Sequence, residues 1–496
     1  MYCSPSSLRP ASCHLHGVIA AAVLAVTTAA SGSPSAVAQP AGPAEQRVAA
    51  SVARIENLDQ DYRAVITLDP QALATARMLD RQRRAPGRLH GEPILLKDNI
   101  ESVGLPTTAG SLALAENNTG RDASLVSALR SEGAVILGKA NLSEWANFRS
   151  EHSSSGWSAV GGQTRNAIDP LRTPCGSSSG SAVAVALGYV RVAIGTETSG
   201  SIICPASING VVGFKPTHGL VSGDGIVPLA LTQDTAGPIA ADVELAARTL
   251  AVMVDPSARD AEDIRRGLIA LDDVTDLRGL RFGIYANTLG YDVRRDANLE
   301  RVTALLQAAG ATIVPGLRID PYDGYGADSY DVLLWEFRRD LNAYLSALPN
   351  PLNQLSLDGI IRFNDENADR ELKRFDQSIF LRSQALKLTE DAYRDKRERT
   401  RTAMRTEGLD RLFAENRLDA LIGVSTSVGW LIDWVNGDAS FGRSMAGPAA
   451  VAGNPHITLP LAEIEGLPHG ISLIGERWKD HRLAAIARLL DDTAAP

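Results

Sequence analysis

Pro93-Ile94-Leu95-Leu96-Lys97 sets a lysine at the end of an apolar run, in a chain with 7 Lys beside 42 Arg. Burial disfavours an ammonium and lowers its pKa, which is what a general base near neutrality requires. The competing reading is a lysine that snorkels to water or pairs with the adjacent Asp98. Two Gly/Ser loops follow. Pro174-Cys175-Gly176-Ser177-Ser178-Ser179-Gly180-Ser181 runs into Ala182–Leu187, the pattern of a loop offering backbone donors at a helix N-terminus. Gly195-Thr196-Glu197-Thr198-Ser199-Gly200-Ser201-Ile202 follows the apolar Val192–Gly195. A serine at such a turn can have successive N–H groups aimed at one point, the geometry of an oxyanion hole. Either cluster alone is as readily a linker or a tight surface turn. A base and a serine presented at a donor-rich turn together suit nucleophilic attack by serine.

Two other motifs carry less. Gly133-Ala-Val-Ile-Leu-Gly138-Lys139-Ala140 nearly fits a phosphate loop, but the residues between the glycines are apolar strand formers and Ala140 lacks the hydroxyl a metal needs. Gly176-Ser-Ser-Ser-Gly180 fits the letters of a nucleophile elbow, which needs a strand just before it. Asn166–Pro174 holds two Pro and an Asp and reads as no central strand. His218, His456, His469 and His481 lie downstream without a diagnostic context.

The 496 residues carry a net charge of −9, with 44% hydrophobic and 22% charged residues. That excludes bulk disorder, and an acidic chain without a basic stripe is a poor nucleic-acid binder. Residues 1–16 hold Arg9, His14 and His16 and no acid, Gly17–Ala30 is a 14-residue run of small and apolar residues, and Ala36-Val37-Ala38 precedes Gln39. This is the order of a secretory signal peptide, too short to span a bilayer, so residues 1–38 are expected to be removed and the remainder exported to a periplasmic or extracellular space. No stable membrane insertion is expected. No metal cluster or nucleotide fingerprint stands, so no cofactor is expected, and oligomeric state is unreadable.

The positioning elements follow from pattern. Residues 39–46 read as a linker and 47–85 as helix, with a second helix opening at Asp69-Pro70. Ile94–Leu96, Ala134–Leu137, Val192–Gly195, Val211–Phe214, Leu280–Tyr285, Ala311–Val314, Leu418–Val424, Ile457–Leu461 and Gly470–Ile474 read as strands. Alternation with helices suggests a largely parallel, buried sheet shared between the first and last thirds of the chain. Residues 330–346 and 366–418 are charged and helical in period, candidates for a cap.

Taken together, Lys97 and the two serine loops resemble the amidase signature family. The resemblance is strongest over about residues 88–240. Gly133–Phe148, Gly162–Asn166, Thr173–Ala186, Ala193–Pro205 and Gly210–Pro216 look like family blocks. Cys175–Ser181, Thr196-Glu197-Thr198, Ile202-Ile203-Cys204-Pro205 and Gln233-Asp-Thr-Ala-Gly-Pro238 are most similar to bacterial peptide amidases. The resemblance implies an α/β fold, one large domain over residues 39–496 with a central twisted mixed sheet covered by helices. It implies Ser201 as nucleophile, Ser177 as a bridging serine on a cis peptide, Lys97 as base, and Thr198, Ser199 and Gly200 as oxyanion donors. The implied reaction is hydrolysis of a carboxamide to carboxylate and ammonia, on a small-molecule or peptide amide, C-terminal peptide amides among them.

Departures from the family pattern are Cys175, Ser179, Ser199 and Glu197, none expected to touch the triad, and Ile203, where many members carry Arg. Cys175 and Cys204 are treated as small buried residues, a disulfide being chemically open only if the chain is exported. Competing readings are the ammonia-generating subunit of a tRNA-dependent amidotransferase, and a silent binding protein on the same scaffold. Tyr322, Tyr325, Tyr330, Trp335, Phe337, Trp430, Trp434 and Phe441 either line an acyl pocket or simply pack helices.

Overall fold

The computed structural model describes residues 41–82, 86–440 and 442–494; the signal-peptide segment and Phe441 lie outside them. Eleven strands form one sheet. Their spatial order is Val65–Leu68, Val135–Ala140, Pro93–Lys97, Val192–Glu197, Thr235–Ala240, Val212–Lys215, His456–Ile464, Leu467–Ile474, Ala420–Val424, Arg281–Tyr285 and Thr312–Leu317. The first and last thirds of the chain do share it.

The sheet is mixed. Parallel pairing is confined to Val135–Ala140 with Pro93–Lys97, Pro93–Lys97 with Val192–Glu197, and the Ala420–Val424, Arg281–Tyr285 and Thr312–Leu317 trio. The centre is antiparallel. The largely parallel arrangement suggested by strand–helix alternation is therefore corrected. Apolar runs buried on both faces look alike in either direction, and Thr235–Ala240, rich in small residues and holding Pro238, did not read as a strand. The N-terminal pattern needs correction too. Helix starts at Pro43, inside the expected linker, and Val65–Leu68 interrupts the expected helix as an edge strand. Gly133–Ala140 holds the strand Val135–Ala140 and not a phosphate loop, as its apolar residues indicate, with Lys139 buried 3.0 Å from Asp98.

Side chains alternate between the two faces. Ile94, Leu96, Ile136, Val192 and Ile194 join the larger core, with helices Ser124–Ser131, Val243–Met253, Val293–Ala308 and Asp480–Ala494. Leu95, Val135, Leu137 and Ala193 face the other core, with helices Pro43–Tyr62, Ala72–Arg81 and Ser179–Ala186. A separate cluster carries part of the expected cap, with helices Tyr325–Ser346, Leu357–Glu366 and Ser378–Ala385 on Trp145 and Phe148, whereas Met404, Leu409, Leu412 and Phe413 pack instead with Tyr285 and Leu421. The buried Arg149 ties cap to body, donating to Glu144 at 2.5 Å and to the Glu371 carbonyl at 2.6 Å.

The small residues of Ser179–Ala186 have a steric reason. That helix lies so close to the sheet that a Cβ on Gly180 would sit 2.1 Å from the Ala64 carbonyl oxygen and 2.7 Å from backbone atoms of Asn141. Helix propensity favours alanine over glycine by up to about 1 kcal/mol, whereas overpacking costs about 1–3 kcal/mol. Packing against backbone, which has little room to yield, decides the sign. Gly180→Ala is expected to lower the thermal unfolding midpoint and activity together; an unchanged or raised midpoint would refute this account of the helix.

Candidate active site

Lys97 ends the Pro93–Lys97 strand and is fully buried. Its Nζ lies 2.7 Å from Ser177 Oγ, 3.0 Å from the Thr196 carbonyl oxygen and 2.9 Å from Thr196 Oγ1. Asn99 Nδ2 donates to the same Thr196 Oγ1 at 3.0 Å, fixing that hydroxyl's position. Burial pulls the Lys97 pKa down to about 7, against the weaker upward pull of Asp234 and Glu197.

Ser177 lies in the loop before helix Ser179–Ala186, and its peptide bond to Gly176 is cis. Several bonds hold this loop. Ser177 O accepts from Ser143 N at 3.0 Å, Ser179 Oγ donates to Cys175 O at 2.6 Å, and Ser178 Oγ donates to Thr196 O at 3.0 Å. A Cβ on Gly176 would fall 2.0 Å from Ser143 Oγ, so the loop presses directly on its neighbour.

Ser201 lies on the turn after strand Val192–Glu197. Its carbonyl accepts from Ser178 N at 3.1 Å, which sets the two serine loops side by side. Ser201 Oγ has no hydrogen-bond partner among the described residues. The N–H groups of Thr198, Ser199 and Gly200 likewise donate to no protein acceptor there. Gly200 has φ +87°, in the region glycine favours, with Ala446 close by. This is a turn with free donors beside a hydroxyl that has no protein partner among the described residues.

The structure brings together Lys97, Ser177 and the Thr196–Ser201 turn, and adds four residues to which the sequence pattern assigned no role there. Thr196 holds the lysine's nitrogen, and Asn99 holds the Thr196 hydroxyl. Glu197 Oε2 accepts from Ile202 N at 2.8 Å and Ile203 N at 3.1 Å, anchoring the chain just past Ser201. The expectation that Glu197 stands apart from the site holds for contact alone, since its charge acts on Lys97. Asp234 Oδ1 accepts from Thr198 Oγ1 at 2.5 Å, and its other oxygen takes the amides of Leu229 and Ala230. Burial pushes its pKa up to about 7. The only signal for it was its place in the Gln233–Pro238 block.

Cys175 and Cys204 are bonded to each other across 29 residues, which overturns the reading of two separate buried thiols. Sequence offered no distance with which to pair them. The bridge joins the residue two before Ser177 to the residue three after Ser201.

Two cavities border the turn. One of about 260 Å³ touches Asn99, Thr196, Thr198 and Asp234. The other, about 700 Å³, touches Ser199 and is walled by Tyr285, Tyr322 and Tyr325. The remaining aromatics described pack elsewhere. Trp335 stacks on Tyr393, Phe337 and Tyr330 contact Phe148, and Trp434 bonds Gln163. Trp430 bonds Asp438.

A family model described as Amidase matches residues 46–484. A probable amidase of Arabidopsis thaliana is 36% identical over 453 residues, covering 87% of this chain and 83% of the relative. A glutamyl-tRNA(Gln) amidotransferase subunit of Symbiobacterium thermophilum is 35% identical over 459 residues, covering 88% and 91%. The crystal structure of native peptide amidase from Stenotrophomonas maltophilia superposes with a TM-score of 0.83 at 41% identity, covering 90% of this chain and 93% of that one.

Closing a loop of this length in the unfolded chain is worth about 3–4 kcal/mol. Replacing Cys175 and Cys204 together by serine is therefore expected to lower the unfolding midpoint and loosen both serine loops, with dithiothreitol doing the same to the native chain. Calorimetry with and without reductant checks this, and equal midpoints would remove the bridge from the account.

Proposed function

The chain belongs to the amidase family and is a hydrolase of carbon–nitrogen bonds in linear amides, and we propose that it is exported and releases ammonia from C-terminal peptide amides, using Ser201, Ser177 and Lys97. The single observation that carries the mechanism is the buried Lys97 Nζ, 2.7 Å from Ser177 Oγ. A neutral amine has two hydrogens and one lone pair. The Thr196 carbonyl is an acceptor only, and Thr196 Oγ1 sits where it accepts the second hydrogen. The lone pair then faces Ser177, whose O–H donates to it and whose oxygen is left to take a proton from Ser201.

Attack follows. Ser201 Oγ adds to the amide carbonyl as its proton passes to Ser177 and the Ser177 proton to Lys97. The oxyanion lies against the free N–H groups of Thr198, Ser199 and Gly200; one such donor is worth about 2.7–4 kcal/mol. The proton returns through Ser177 to the leaving nitrogen, ammonia departs, and water cleaves the acyl-enzyme by the same relay.

The relatedness to a peptide amidase supports the peptide substrate. The tyrosine-walled cavity beside Ser199 supports it too, giving the acyl side of a peptide an apolar and hydrogen-bonding surface. The N-terminal pattern supports export, as does the Cys175–Cys204 bridge, since disulfides persist in oxidising surroundings.

Ammonia release from a peptide C-terminal amide, an aromatic amide, a short aliphatic amide and free glutamine tests the reading. Peptide amide is expected to be the best substrate, and Ser201→Ala to lose at least about 10⁴-fold in kcat/KM while staying folded. Glutamine as the preferred substrate would favour the amidotransferase reading instead.

The pH dependence follows from the base. The active form is neutral Lys97, so kcat/KM should fall below a midpoint near pH 7 and level off above it. A kcat/KM that declines steadily from pH 6 to 9 in folded enzyme would rule out a lysine base.

A further inference from the structure

On the far side of the smaller site cavity lies a second cavity, of about 410 Å³, which shares His218 and Leu231 in its wall. Four arginines line it: Arg397, Arg401, Arg405 and Arg477. The first three recur every four residues along helix Glu390–Met404 and the turn after it, which puts like charges on one helix face. Such spacing is unfavourable without a counter-charge. The nearby carboxylates compensate only half of it. Arg401 pairs with Glu398 at 2.5 Å and Arg477 with Asp410 at 3.0 Å. Arg405 donates to the Ala452 carbonyl and Arg397 lies over the Tyr393 ring. Neither has an ion-pair partner among the described residues.

Two further groups are left unsatisfied at the same place. Arg477 Nε is buried without an acceptor. Gln233, 7% exposed, lines the cavity, and its side-chain amide has no partner among the described residues. Burial and the neighbouring Arg477 and Arg401 pull Arg405 down to about 10, against the weaker upward pull of Asp410 and Glu398.

We propose that this cavity is a binding site for a small polyvalent oxyanion, a phosphate or a di- or tricarboxylate, held by Arg397, Arg401, Arg405 and Arg477 with Gln233. Arginine forks match both oxyanions bidentately. A cavity of this volume takes a small molecule and not a polymer.

Inorganic phosphate and citrate, titrated at constant ionic strength against sodium chloride, test the proposal by thermal unfolding and calorimetry. At about ten times its Kd the better anion should raise the midpoint by about 2 °C, and the two arms tell phosphate from carboxylate. Arg405→Gln should weaken binding at least about tenfold, as expected for loss of a charged hydrogen-bond partner. Arg401→Gln, at a more exposed position, should weaken it as well without endangering the fold. Ser201→Ala protein should bind like the native chain, so a failed hydrolysis assay and a failed binding assay are separable. A rise that chloride reproduces, or one that both arginine variants retain, would overturn the site.

Discussion

The active site depends on keeping one amine dry. In the proposed mechanism Lys97 is an effective base only while burial outweighs the carboxylates that would hold it charged. Asp234 and Glu197 both favour the ammonium, yet the lysine sits near 7 because desolvation is the larger effect. The fold supplies that dryness by ending an interior strand, buried on both faces, beside the loop before helix Ser179–Ala186. It also places three oxygens around that nitrogen, the Thr196 carbonyl and hydroxyl and the Ser177 hydroxyl.

The second requirement is register between two loops that come from different parts of the chain. One follows strand Val192–Glu197 and the other precedes the helix packed on it. They are joined by the Ser178 N to Ser201 O bond, by Thr196, which faces both Lys97 and Ser178, and by the Cys175–Cys204 bridge. Glu197 holds the exit from the Thr196–Ser201 turn and Asp234 the Thr198 side chain. Each carboxylate thus has a structural role that opposes the electronic need of the lysine, and the site works because neither touches Nζ.

Much of this was legible in the residues. A lysine closing an apolar strand and two small-residue loops were visible as patterns, because burial and turn chemistry leave local signatures. Most strands were visible for the same reason. What was not legible is non-local. Strand direction depends on connections that two-sided apolar runs do not encode, so the antiparallel centre was missed. Val65–Leu68 is a short edge strand whose burial is only partial, which leaves little alternation to read. The disulfide needed a distance between Cys175 and Cys204. Asp234 needed the knowledge that Thr198 would face it, and Thr196, though quoted in its motif, had no role until Lys97 was placed beside it.

Among the described residues three lysines are fully buried, and geometry, not basicity alone, separates the proposed base from the other two. Lys97, Lys139 and Lys215 all have pKa values lowered by desolvation. Lys139 is matched with Asp98 at 3.0 Å and with Thr107, so its charge has a local partner. Lys215, pulled down to about 8, has its own environment, donating to the Pro216 carbonyl. Burial brings Lys215 towards the physiological range, yet neither it nor Lys139 has a proton to accept from a reacting group. Only Lys97 has a serine hydroxyl among its partners. A depressed pKa is a necessary condition that three residues meet. The hydroxyl of Ser177, held by the loop that also positions Ser201, is the condition that one of them meets.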